Sequence, residues 1–172
     1  MSEAPSEDPA QRKPCPQCGS MARRFSLQPE TGHISLVGGK VTLVVTTYPE
    51  ALLTTAQGLI ASGEFSIAVV VAHMACEISA ERALSRTFAA KGIGYLQESV
   101  DDLLPGYNLA NDRVRNFYNA VTGDQIEKQP FWQAFKESAT RRNQAVHKGR
   151  IVTKGEVEAS YKAASDLVAY LK

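Results

Sequence analysis

Residues 64–91 read EFSIAVVVAHMACEISAERALSRTFAAK, with no proline or glycine until Gly92. Ile67, Val70, Val71, Met74, Ile78 and Leu84 place apolar side chains on more than one side of a helix. A helix that is apolar around much of its circumference belongs at the centre of a bundle. Its longest apolar run, Ile67 to Cys76, is broken by His73 and spans half of the roughly 20 residues that a membrane helix needs. No membrane span is expected.

Toward the C-terminus the punctuation stays helical. Tyr95, Leu96, Val100, Leu103 and Leu104 form a stripe that Pro105-Gly106 ends. Val114, Phe117, Tyr118 and Val121 follow the i, i+3, i+4, i+7 pattern and stop at Gly123. Pro130 opens a helix carrying Phe131, Phe135, Ala139 and Val146, with Gly149 as its cap. Thr153-Lys-Gly-Glu156 matches a capping box, and the helix it opens carries Val157, Tyr161, Ala164, Val168 and Leu171. Before the central helix, Pro49 and Gly63 bracket a shorter one over 49–62. Residues 49–172 therefore read as an up-and-down helical bundle, whose short connections favour antiparallel neighbours.

The N-terminal part differs in character. Residues 1–14, rich in proline, serine and charge, cannot offset their ordering entropy by burial and read as a disordered tail. Residues 15–47 hold Cys15-Pro16-Gln17-Cys18-Gly19 and then ISLVGGKVTLVVTT, in which Gly38-Gly39 between β-branched runs suggests a β-hairpin. The fold class expected is thus mainly α, a helical bundle preceded by a small Cys knuckle and hairpin.

Composition narrows the function classes. Of the 172 residues, 44% are hydrophobic and 22% charged, as in a globular protein. Nineteen basic and eighteen acidic residues leave a net charge of +1, so the chain as a whole has no polyanion-binding field. Basic charge is local instead. Over residues 136–154, Lys136, Arg141, Arg142, Lys148, Arg150 and Lys154 oppose only Glu137. Three cysteines and no leader-like opening point to a reducing, cytoplasmic setting.

The helix after Pro130 ends in Arg141-Arg142-Asn143-Gln144-Ala145-Val146-His147-Lys148-Gly149-Arg150. At about 100° per residue, Asn143 and His147 stack one turn apart, whereas Arg142 shares the azimuth of Phe135, Ala139 and Val146. An arginine on the packed side needs a carboxylate, and Glu77 of the central helix is the candidate. Its other reading is a solvated residue beside Glu81 and Arg82.

Arg142-Asn143-x-x-x-His147, late in an all-α chain, resembles the Arg-x4-6-His motif of the HEPN domain (higher eukaryotes and prokaryotes nucleotide-binding). The layout of residues 65–172 is similar too: a long helix with an embedded acidic residue in AHMACEISAERAL, the motif helix and a final amphipathic helix. The resemblance implies a homodimer whose motif helices meet across a two-fold axis and cleave RNA without metal, in defence, stress response or a toxin system, with an antitoxin or other protein as partner. Residue chemistry supports this separately. RNA carries its own nucleophile, the 2′-OH, so cleavage needs a group that moves protons near neutral pH and a cation for the phosphate. His147 is assigned the proton transfer, Arg142 the phosphate and Asn143 an orienting hydrogen bond. Glu77 orients Arg142, and Arg141, Lys148 and Arg150 contact substrate. The other functional class is a non-catalytic dimeric module that binds RNA, a nucleotide or a protein.

Cys15 and Cys18 form half of a structural zinc site, in a turn similar to the rubredoxin-type knuckle. His33 and a ligand from a second subunit could complete it; the alternatives are a knuckle that binds nothing and a redox-active pair. His73 is expected to be a hydrogen-bonded core histidine and Trp132 a packing residue.

Overall fold

A computed structural model describes residues 47–172 throughout and, of the rest, only the backbone of two short strands. The chain divides between Val45 and Thr46 into two units. In the first, β1 (His33–Leu36) and β2 (Gly39–Thr42) pair antiparallel, with Ile34 opposite Val41. Gly39, expected in a Gly38-Gly39 turn, instead lies in the ladder opposite Leu36. The 1–14 tail and the Cys15/Cys18 knuckle lie outside the described residues.

The second unit is a helical bundle: α1 (Tyr48–Ala61), α2 (Phe65–Ala90), α3 (Gln97–Leu103), α4 (Asp112–Thr122), α5 (Trp132–Lys148) and α6 (Lys154–Tyr170). Short 3-10 turns at Gly94–Leu96 and Ile126–Lys128 precede α3 and α5. Its ends follow the local chemistry. Pro49 sits in the first turn of α1, where its missing N–H costs nothing. The Glu50 carboxylate accepts the Thr47 N–H at 2.9 Å. Gly149 ends α5 with φ +61°, a left-handed geometry that glycine adopts without a Cβ penalty. It turns the chain so that Val152 enters the interior before α6 begins.

At the start of α6, the Thr153 side chain accepts from the Glu156 N–H, and Glu156 accepts the Thr153 N–H at 2.9 Å. Removing the Thr153 hydroxyl leaves the Glu156 N–H without its side-chain acceptor. Thr153→Ala is expected to lower unfolding free energy by about 1 kcal/mol, read as a shifted urea midpoint at unchanged slope.

α2 packs against α1, α4, α5 and α6, so it is the central helix expected. Its buried face is not the one its large side chains suggested. Ala68, Ala72, Ala75, Ser79, Ala80 and Ala83 are buried with Val69, Cys76, Leu84 and Phe88, whereas Ile67 and Met74 are exposed and Val70 and Ile78 only partly covered. Small side chains let neighbouring helices approach closely, and larger partners supply the volume: Leu109, Val114, Tyr118, Ile126, Trp132, Phe135 and Leu167. A second apolar cluster, Ala68, Val69, Val152 and Val157, closes the bundle where the α5–α6 connection meets the start of α2. The stripe expected over 94–104 also departs from the interior. Val100 is buried, but Tyr95 and Leu103 are about three-quarters exposed, because α3 spans under two turns and presents a single residue inward. No helix among the described residues is long and apolar enough to cross a membrane.

Candidate functional site

α5 has two unlike halves. Trp132, Phe135, Ser138 and Ala139 are buried, while Asn143, Val146, His147 and Lys148 face solvent. Val146, expected in the packed stripe, is 49% exposed, because the helix leaves the core in its last turns. Arg142 lies at the boundary, on the azimuth of Phe135, and its guanidinium reaches back toward α2.

There, Arg142 Nη2 lies 3.9 Å from the Glu77 carboxylate, both side chains being about a quarter exposed. Arg142 Nη1 donates to Asn143 Oδ1 at 3.1 Å. The same Glu77 oxygen is 3.5 Å from His73 Nε2, one turn earlier on α2. Glu77, His73 and Arg142 thus form one cluster across the α2–α5 seam. Desolvation raises the Glu77 pKa, and the charge of Arg142 opposes that rise.

His73 is buried, as its sequence setting suggested, and its ring stacks on Phe135 at 5.8 Å with 7° between the planes. It is not hydrogen-bonded as expected: neither ring nitrogen has a hydrogen-bond partner among the described residues, nor does Arg142 Nε. Burial first, and then the charge of Arg142, pulls the His73 pKa down to about 4; the nearby Asn108 side chain opposes that shift without completing a hydrogen bond to the ring. His73 is therefore neutral at neutral pH.

This neutrality has a measurable consequence. Between its unfolded value of 6.5 and about 4, the unfolded chain binds a proton that the folded chain refuses, so stability falls as pH drops through that window. The contribution is about 3 kcal/mol at about 1.4 kcal/mol per pH unit. Glu77, with its raised pKa, contributes in the opposite sense. His73→Gln is expected to flatten the pH dependence of the urea midpoint between pH 6.5 and 4.5 relative to wild type.

The other basic residues point elsewhere. Arg141 is largely covered and faces α6, where it donates to Ser160 Oγ at 2.7 Å and lies 3.9 Å from both Glu137 and Glu156. Arg150 donates to Gln144 at 2.8 Å and to Glu156 at 2.6 Å. Together with Lys136, these residues line an open groove of about 340 Å³ between α5 and α6. Lys148 is exposed. The net +5 of residues 136–154 is therefore partly neutralised by Glu156, two residues beyond that window.

Of the residues singled out in the sequence, Arg142, Asn143 and Glu77 come together. His147 lies one turn beyond Asn143, exposed, and Arg141 and Arg150 occupy the α6-facing side. His73 and Asn108 join the cluster without having been selected. The signal for His73 was its i, i+4 spacing to Glu77; for Asn108, in a loop between α3 and α4, there was none. Trp132 is packed, with the Arg115 guanidinium 5.6 Å above its ring. No group of three or more His, Cys, Asp or Glu side chains among the described residues could hold a metal ion. The zinc expectation at Cys15 and Cys18 falls outside those residues. No family model, curated protein or solved structure matches the chain.

Proposed function

We propose that the bundle is a HEPN-like, metal-independent endoribonuclease that works as a cytoplasmic homodimer in a defence, stress or toxin system. The observation that carries this reading is the end of α5: Arg142 braced by Glu77 and Asn143, with His147 presented to solvent one turn away. In the reaction, the 2′-oxygen bonds to phosphorus as the bond to the 5′-oxygen breaks. One proton leaves the 2′-OH and one is delivered to the 5′-oxygen. His147 carries out one of these transfers and solvent water the other, and Arg142 offsets the charge on the phosphoryl oxygens. An arginine already oriented by a carboxylate loses less side-chain freedom when it meets a phosphate bidentately.

Dimerisation has its own support. Ile67 and Met74 on α2, Val146 on α5 and Ile151 just beyond it are exposed apolar residues, and Ser66 ties the two regions together by contacts to Arg150 O and the Val152 N–H. Exposed apolar side chains gathered beside a polar site are a usual mark of an interface. An antitoxin or other protein would compete for the same surface.

The test is labelled RNA and matched DNA incubated with the protein in excess EDTA. RNA is expected to be cut to 2′,3′-cyclic phosphate ends while DNA survives. Cleavage that needs added metal, or equal cleavage of DNA, would count against the proposal. A second reading draws on the fact that the exposed His147 side chain has no hydrogen-bond or ion-pair partner among the described residues. In that reading the bundle binds RNA or a nucleotide without cleaving it, while the N-terminal knuckle and hairpin recruit a partner. RNA retained but uncut in the same assay is its signature.

A further inference from the structure

We infer that His73 is a positioning residue of this site: its imidazole, held flat on Phe135, keeps Nε2 3.5 Å from Glu77, an approach that falls short of a hydrogen bond, and its Nε2–H dipole steers the carboxylate that orients Arg142. The inference rests on the reading of Arg142 as the phosphate-binding group.

The geometry is that of two helix faces. His73 and Glu77 stand one turn apart on α2, and Phe135 and Arg142 stand seven residues, or two turns, apart on α5. Each helix supplies one aromatic ring and one charged group. The rings stack at 5.8 Å, and the charges approach to 3.9 Å at the exposed edge. One Glu77 oxygen faces both His73 Nε2 at 3.5 Å and Arg142 Nη2.

The ring's tautomer follows from its neighbours. A neutral imidazole has one N–H to give. An ionised carboxylate 3.5 Å from Nε2 can only accept, so the favourable tautomer carries its proton on Nε2, toward Glu77. Because His73 is neutral, it holds Glu77 without cancelling its charge, so the carboxylate's full attraction remains for Arg142. A histidinium there would compete with the arginine.

The test uses the full chain, with ¹⁵N NMR of the His73 ring and of Arg142 Nε–H. Wild type is expected to show the Nε2–H tautomer. Replacement by glutamine keeps an amide N–H where Nε2 stood, whereas phenylalanine keeps the stacked ring and loses the donor. His73→Phe is therefore expected to shift the Arg142 Nε resonance, and His73→Gln to leave it near the wild-type position. In RNA cleavage, His73→Phe is expected to lower kcat by about tenfold to a hundredfold at similar KM, with rescue by His73→Gln. A purely structural role would lower the folded fraction without this split. The Nδ1–H tautomer in wild type would overturn the inference even if His73→Phe failed to fold. So would an unmoved Arg142 resonance in a folded His73→Phe. If wild type cleaves no RNA, the nuclease reading fails, and the two NMR readouts still decide the role of His73.

Discussion

RNA incubated with His147→Ala in excess EDTA is expected to be cleaved about 10² to 10⁴ times more slowly than with wild type, the range a positioned proton-transfer group supplies. The fold should be unaffected. His147 is exposed in the last turn of α5 and makes no hydrogen bond or ion pair among the described residues, so removing its ring leaves no buried group without a partner. Arg142→Ala is expected to reach a similar loss by another route, because it removes the cation facing the phosphate and leaves Glu77 partly buried beside a neutral histidine. Arg142→Lys should recover little, since a lysine cannot span Glu77, Asn143 and a phosphate with one planar fork. Cleavage by His147→Ala at the wild-type rate would dismiss the mechanism.

Phe135→Ala is expected to cost about 3–5 kcal/mol. Phe135 is 1% exposed and packs between His73 and Trp132, so its removal opens a cavity that the α2 alanines are too short to fill. The substitution also removes the ring that keeps His73 in plane. A urea midpoint lowered by less than the equivalent of about 1 kcal/mol would show that the site collapses without a cavity.

The fold was legible where the chain punctuates itself. Pro49, Gly123, Gly149 and the Thr153–Glu156 pair mark helix ends by local backbone chemistry, which tertiary context rarely overrides. The buried side of α2 was less legible. Hydropathy ranks Ile67 and Met74 above Ala72 and Ala80, yet helix approach is decided by side-chain size, and the alanines face inward. Arg142 could be placed near Glu77 from its azimuth, because Phe135, seven residues earlier, had to be inside. The diversion of Arg141 and Arg150 to Glu156 could not be read, because it depends on how α6 returns past α5 after Gly149.

That return makes α5 a helix with a preferred side of approach. A polyanion arriving from the α6 side meets arginines already opposed by Glu137 and Glu156. One arriving over the α2 seam meets Arg142, which faces the single carboxylate of Glu77, and then His147, which faces no carboxylate among the described residues. Selectivity between the two sides thus comes less from where the basic residues sit than from where the acidic ones have already been committed, and opening a second track along the same helix would take the loss of both Glu137 and Glu156.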